Sequence, residues 1–263
     1  MPRLDQLLVT QGLARSRTRA QRLIRHGRVR LEESGRVLTR PGEKLADQTR
    51  LAVEADPEER YVSRAGLKLE ALIEALGLDL ADKLVLDVGQ STGGFTDCAL
   101  AHGASHVIGV EVGHDQLDPS LREDPRVTCL EGLNARAMAG DARLIDAFRA
   151  RGAAGPDLVV MDVAFISQTL ILPEITALLP PGGELASLIK PQFEVGPGGI
   201  NARGLVTDPA RYAQVEAKIR ARCAELGLAI RHWQASPLLG GDGNREFLLH
   251  AIRSAEPTSH PSS

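Results

Sequence analysis

Leu84-Val85-Leu86-Asp87-Val88-Gly89-Gln90-Ser91-Thr92-Gly93-Gly94-Phe95 is the stretch that decides the fold. Five residues, apolar except for one acid, run without alternation into a turn holding three glycines, and a helical pattern around Cys98-Ala99-Leu100 follows. A strand with no polar face is buried on both sides, which is the condition of a parallel sheet covered by helices. Segments 106–111, 126–130, 157–162 and 185–190 repeat the pattern. Their alternation with helical stretches predicts an α/β, Rossmann-like, doubly wound sheet. Two later segments, 229–234 and 246–252, lie close enough in sequence to pair as an antiparallel edge hairpin. The sheet is therefore expected to be mostly parallel with an antiparallel last strand.

The glycine turn narrows the ligand. A dinucleotide site prefers G-x-G-x-x-G and a P-loop ends in Gly-Lys-Ser/Thr, and neither is present. Asp87-x-Gly89-x-x-x-Gly93-Gly94 remains, with Glu111 at the tip of the second strand, where an acid accepts hydrogen bonds from a ribose diol. That combination fits S-adenosyl-L-methionine.

A chain of 263 residues with 43% hydrophobic content can bury a full core and carry a small second domain. No segment approaches the roughly 18–20 apolar residues of a membrane span, and Met1-Pro2-Arg3-Leu4-Asp5 lacks the apolar run of a signal peptide. A cytoplasmic protein with no membrane partner is expected. Cys98, Cys129 and Cys223 are odd in number and lack metal-ligand spacing, which predicts free thiols and no metal.

The net charge of -3 hides an asymmetry: residues 1–56 carry 12 basic against 7 acidic residues, and the remainder is acidic. Arg15, Arg17, Arg19, Arg22, Arg25, Arg28 and Arg30 fall in a stretch without any acid, and with Arg3 they form the candidate polyanion surface. Leu4, Leu7 and Leu8 predict a short helix. Ser16 reads as the N-cap of a second helix whose apolar face is Ala20, Leu23 and Ile24, and Gly27 ends it. Segments 29–31, 36–38 and 50–53 predict short strands, giving a small α+β domain over 1–56. The polar, proline-containing stretch that follows predicts a linker at 57–64, a catalytic domain at 65–254 and a disordered tail at 255–263. No aromatic residue precedes Tyr61, which suits folded RNA better than a single strand.

Lys68, Asp162, Lys190 and Glu246 each stand where an apolar segment meets a loop. The chain has 26 arginines and only 5 lysines, and two of the five are in this set. Lysine, unlike arginine, can be made a base by burial and neighbouring charge. The set suits removal of a proton from a ribose hydroxyl.

Several segments together resemble one family. The first is Arg3-Leu4-Asp5-Gln6-Leu7-Leu8 with the arginine-rich helix, similar to the alpha-L RNA-binding domain. The others are Tyr61-Val62-Ser63-Arg64-Ala65-Gly66-Leu67-Lys68, the Asp87 turn, Asn134-Ala135-Arg136, Met161-Asp162-Val163-Ala164-Phe165, Lys190-Pro191-Gln192-Phe193-Glu194 and Gly243-Asn244-Arg245-Glu246-Phe247. They resemble the TlyA, or haemolysin A, family of ribosomal-RNA ribose 2'-O-methyltransferases. The resemblance implies an FtsJ-like, class I methyltransferase domain using S-adenosyl-L-methionine, with the ribose 2'-hydroxyl of a cytidine in ribosomal RNA or ribosomal subunits as substrate. No obligate protein partner is implied.

By that resemblance the catalytic tetrad is Lys68, Asp162, Lys190 and Glu246, with Lys190 as base, Asp162 positioning it, and Lys68 and Glu246 holding the ribose. The cofactor pocket falls on Asp87, Gly89, Ser91, Thr92, Gly93, Gly94, Phe95, Glu111 and Asn134. The arginines from Arg3 to Arg30 face RNA. Three positions depart from the family pattern: Gln90 where alanine is usual, Ala164 where serine is usual, and Glu111 where aspartate is common. Gln90 is expected to crowd the cofactor loop. The glycine-rich stretch 191–209 reads as a mobile loop near the substrate. The competing readings are a membrane-active haemolysin and a non-catalytic ribosome-assembly factor.

Overall fold

The structure, a computed structural model, describes residues 1–14, 16–54, 60–196 and 198–255. Arg15, linker residues 57–59 and tail residues 256–263 lie outside it. The chain divides into two compact units, Met1–Arg60 and Tyr61–Ser263.

In the first unit, helices α1 (Leu4–Thr10) and α2 (Arg17–Arg25) precede an antiparallel pair, β1 (Val29–Leu31) and β2 (Leu51–Val53). Ser16 Oγ accepts the Arg19 amide at 3.2 Å, so the expected N-cap is formed. Leu4, Leu7, Leu8, Ala20, Leu23 and Ile24 bury their side chains with Val29, Leu38 and Leu51. The expected strand at 36–38 is reduced to a single bridge between Val37 and Arg30. The chain leaves the sheet there because the carbonyls of Pro41 and Glu43 accept the amides of Asp5 and Leu4, which satisfies the first turn of α1.

The second unit holds a seven-stranded sheet. Its strands are β3 (Leu84–Val88), β4 (His106–Glu111), β5 (Val127–Glu131), β6 (Leu158–Met161), β7 (Glu184–Ile189), β8 (Leu228–Ala235) and β9 (Phe247–Arg253), in the spatial order β5-β4-β3-β6-β7-β9-β8. The pairs among β3 to β7 are parallel; β9 is antiparallel to both β7 and β8. The predicted sheet is thus present, with the last strand inserted inside the edge hairpin. Helices α3 (Ala65–Leu76), α4 (Gly94–Ala101) and α5 (Pro119–Arg122) bury Leu69, Leu72, Phe95, Ala99 and Leu121 on one face. Helices α6 (Ala142–Arg149), α7 (Leu172–Leu178) and α8 (Ala210–Glu225) bury Leu144, Phe148, Leu172, Ile175, Val215 and Ile219 on the other.

The linker expected over 57–64 ends sooner than that. Tyr61 is buried and its hydroxyl donates to Glu70 Oε1 at 2.9 Å, while the Val62 amide donates to Asp97 Oδ2 at 2.7 Å. Residues 61–64 therefore pack as part of the second unit, because an aromatic ring and a backbone amide both find partners there.

Gly66 sits under the Tyr61 ring: a Cβ placed on it would come within 2.5 Å of Tyr61 Cδ2. Glycine to alanine inside a helix ordinarily stabilises by about 1 kcal/mol. Here Gly66→Ala is expected to do the reverse, lowering stability by about 1–3 kcal/mol through overpacking, with the midpoint of chemical denaturation as the measurement.

Candidate active site

Parallel strands place their C-terminal ends on one edge of the sheet. Asp162 follows β6 and Lys190 follows β7, so both stand on that edge. Strand β9 runs the other way, with Phe247 paired to Ile189, and this sets Glu246 one step beyond the last registered pair, beside Lys190. Lys68 comes from α3, which packs against β7 and β9. All four residues of the predicted tetrad are thereby gathered, and they resolve into two ion pairs. Lys68 Nζ donates to Glu246 Oε2 at 2.5 Å, with both side chains nearly buried. Lys190 Nζ lies 2.6 Å from Asp162 Oδ1, a contact with ion-pair distance but without the angle of a hydrogen bond, and that oxygen has no hydrogen-bond partner.

A cavity of about 610 Å³ opens beside the second pair. Asp162 and Lys190 line it, together with Gly89, Ser91, Glu111 and Asn134, and Val112, Leu133, Val163 and Ile171 form an apolar wall. Gly89 has φ +83°, and a Cβ on it would stand 2.7 Å from the Asp162 carbonyl oxygen. The cofactor turn therefore touches the backbone of the candidate catalytic acid. Ser91 is held in the left-handed region at φ +48° by its amide, which donates to Glu111 Oε2 at 2.8 Å. Glu111 Oε1 accepts the Gly113 amide at 2.8 Å. Each carboxylate oxygen keeps a further lone pair for a diol. Asn134 Oδ1 accepts the Arg136 amide at 3.0 Å.

The other predicted cofactor residues lie off the cavity. Thr92 is exposed, and Phe95 packs into the core with α3. Gly93 and Gly94 are small because of their neighbours: a Cβ on Gly93 would meet Leu121 Cδ1 at 2.4 Å, and one on Gly94 would meet Ser63 Oγ at 2.1 Å. Asp87 is fully buried; its Oδ2 accepts Thr96 Oγ1 at 2.7 Å and its Oδ1 has no partner. Burial pushes the Asp87 carboxyl up to about 7; the Thr96 hydrogen bond opposes the rise, and the nearby charges of Asp162 and Glu111 add to it.

Gln90 lies off the cavity. Its side chain is 3% exposed, donates to Thr96 Oγ1 at 3.0 Å, and fills the space above Gly109, where a Cβ would overlap it at 2.0 Å. The glycine of β4 accommodates the larger side chain. The stretch 191–209 is not a loose loop throughout: Asn244 accepts the Val206 amide at 3.1 Å and donates to the Gly204 carbonyl at 3.0 Å.

Phe165 was not singled out as a site residue from the sequence. It lines the cavity, is 91% exposed, adopts φ +63°, and places its ring centroid 5.1 Å from that of Phe193. A bulky residue in the left-handed region is strained, and this one holds an exposed ring on the cavity wall. The signal available was its scarcity, since the chain has 5 phenylalanines.

In the first unit, Asp5 gathers two of the predicted RNA-facing arginines. Its carboxylate is buried and accepts Arg3 Nε at 3.0 Å, Arg17 Nη2 at 3.2 Å and Gln21 Nε2 at 2.8 Å. Burial alone would raise its pKa, but these bonds outweigh that and hold it well below the usual carboxylate range. Arg28 and Arg30 both pair with Glu54, and Arg25 reaches Gln21. Arg19 and Arg22 lie on α2.

The sequence pattern of the FtsJ-like methyltransferase family matches residues 61–253, and that of the S4 domain matches residues 2–48. The 16S/23S rRNA (cytidine-2'-O)-methyltransferase TlyA of Mycobacterium tuberculosis is 40% identical over 94% of this chain and 88% of its own. The chain belongs to the TlyA family of FtsJ-like methyltransferases. Hemolysin A of Brachyspira hyodysenteriae, another similar protein, is 35% identical over 95% of this chain and 99% of its own. Among solved structures, a "Putative hemolysin from Streptococcus thermophilus" superposes with a TM-score of 0.73 at 37% identity, covering 97% of this chain and 90% of that one. The solved methyltransferases that share its fold include S-adenosylmethionine-dependent ones.

The cavity fits such a cofactor on its own evidence: its size suits a small molecule, its wall is apolar, and Glu111 offers free lone pairs opposite Gly89.

Asp87 generates a pH prediction. Its carboxyl stays protonated in the fold up to about pH 7 but ionises near 3.8 once unfolded. Stability is then lost as pH rises across that window. Asp87→Asn removes the ionisation, so thermal denaturation from pH 4 to pH 8 should show the variant gaining on the wild type by on the order of a few kcal/mol, the gap levelling off above pH 7.

Proposed function

We propose that this TlyA-family enzyme transfers the methyl group of S-adenosyl-L-methionine to the 2'-hydroxyl of a cytidine ribose in ribosomal RNA, in the cytoplasm. The observation that carries this reading is the Lys190–Asp162 pair on the wall of a cofactor-sized cavity, backed by the buried Lys68–Glu246 pair on the same sheet edge. Gly89, Ser91, Glu111 and Asn134 hold the cofactor. When bound it supplies an activated sulfonium methyl, which leaves the chain the tasks of alignment and deprotonation.

A ribose hydroxyl is a weak acid. Lys190, once its ammonium has released a proton to solvent, takes the hydroxyl proton as the general base, and Asp162 fixes the direction of Nζ. Lys68 and Glu246 neutralise one another at burial, so that a fixed dipole rather than a net charge stands behind the ribose. Phe165 offers an exposed ring face at the mouth of the cavity, where the base attached to that ribose can stack. The S4 unit supplies RNA affinity through arginines set by Asp5 and Glu54.

No helix among the described residues is long and apolar enough to cross a membrane, and no feature of the site favours a lytic role.

Lys190→Ala is expected to lower transfer of labelled methyl groups to ribosomal subunits by about 10²–10⁴-fold while cofactor affinity measured by calorimetry stays unchanged; full transfer by the variant would refute the assignment. Phe165→Ala is expected to weaken use of the RNA by about 1–3 kcal/mol, read as a rise in KM for the subunit with the cofactor KM unaffected.

A further inference from the structure

A second buried carboxylate stands behind the Lys190–Asp162 pair. Glu194 lies immediately after the short 3-10 helix Pro191–Phe193 that follows Lys190, and its side chain is 1% exposed. It makes three contacts to other segments. Oε1 accepts the Gln168 amide at 2.7 Å, and Oε2 accepts Ser167 Oγ at 2.6 Å and Lys218 Nζ at 2.9 Å. Lys218, on α8, also donates to the Glu194 carbonyl at 3.0 Å.

The partners are tied down in turn. Gln168 is buried, donates through Nε2 to the Leu188 carbonyl at 2.6 Å, and accepts Ser187 Oγ at 2.7 Å. Ser187 and Leu188 belong to β7, the strand that delivers Lys190. The segment after β6, which begins at Asp162, is therefore stitched to the segment after β7, which begins at Lys190. The stitch is the Glu194 side chain and its donors. The Phe165 and Phe193 rings meet across the same seam.

The geometry points to Glu194 as a positioning residue for methyl transfer: by joining the post-β6 and post-β7 segments it sets the separation of Asp162 from Lys190 and the place of Phe165. This rests on the reading of Lys190 and Asp162 as the reacting pair. Glu194 is buried and does not line the cavity. Its effect should appear in the rate of the chemical step, where misplacement by 1 Å can cost about a hundredfold.

The test uses the full chain and ribosomal subunits purified from cells lacking it, comparing Glu194→Ala, Glu194→Gln, Lys218→Met and, as the control for the reading beneath, Lys190→Ala. Single-turnover transfer, the KM for subunits, cofactor affinity by calorimetry, the pH–rate profile and the melting temperature are measured for each. Glu194→Ala is expected to lower the single-turnover rate by about a hundredfold with cofactor affinity and KM unchanged and with the acid limb of the pH–rate profile displaced. Glu194→Gln keeps the shape and one acceptor for the Gln168 amide, and so should recover part of that loss; it also serves where the alanine variant does not fold. Lys218→Met should show a smaller loss of the same kind.

A wild-type rate and pH profile in Glu194→Gln and Lys218→Met, with Lys190→Ala inactive, would overturn the inference alone. So would losses confined to melting temperature and cofactor affinity. An active Lys190→Ala would instead overturn the reading of the base, and the inference would fall with it.

Discussion

Strand β9 runs against its neighbours, and the site depends on that reversal. Had it been parallel to β7, its first residue would lie at the far edge of the sheet from Lys190. Because it is antiparallel and registered Phe247 to Ile189, the residue before it stands beside the residue after β7. Glu246 is thus delivered to the edge where β6 and β7 end. Helix α3 then supplies Lys68 from the side, and a lysine there could not be buried without Glu246 to receive it. Sheet topology and charge pairing are in this sense one constraint: the register brings the acid, and the acid permits the lysine.

The turn after β3 obeys a second constraint, close packing. Gly89 is needed because the β6 backbone comes up against it, while Gly93 and Gly94 are needed because Leu121 and Ser63 do. Only the first of these approaches the cavity. Gln90 shows the same economy in reverse, since the larger side chain is housed by the missing Cβ of Gly109 on the next strand. The turn after β3 is shaped from behind, by α3, α5 and β4, as well as on the cavity side at Gly89.

These two constraints explain what could be read from the amino-acid sequence. Continuous apolar strands and their alternation with helices are local signals, so the parallel sheet, the Ser16 cap and the paired late strands were legible. The reduction of segment 36–38 to a single bridge was not, because Pro41 and Glu43 turn their carbonyls to α1, a contact made across more than thirty residues. The family resemblance and their places at segment ends singled out Lys68, Asp162, Lys190 and Glu246, which the structure brings together as two ion pairs. Gly93 and Gly94 lie off the cavity against Leu121 and Ser63, and a glycine required by such a neighbour looks the same in sequence as one required by a ligand. Glu194 carried no local signal beyond its motif, because its partners Ser167, Gln168 and Lys218 come from two other parts of the chain.

Lysine scarcity, which first drew attention to Lys68 and Lys190, turns out to report pairing rather than chemistry. All four lysines of the second unit meet a carboxylate: Lys68 with Glu246, Lys83 with Glu184, Lys190 with Asp162 and Lys218 with Glu194. The Lys83–Glu184 pair, joined by His250 on the same carboxylate, sits at the opposite edge of the sheet with no part in the cavity. What separates Lys190 from the rest is access. It alone of the four lines the cavity, and its acid, Asp162, shares backbone contact with the cofactor turn at Gly89. The arginines of the small unit follow the other logic: Asp5 and Glu54 hold them by hydrogen bonds and ion pairs while leaving them part-exposed, which suits a cation that must stay charged to meet phosphate. Burial, a carboxylate and an open cavity wall coincide at Lys190, and at no other lysine of the second unit.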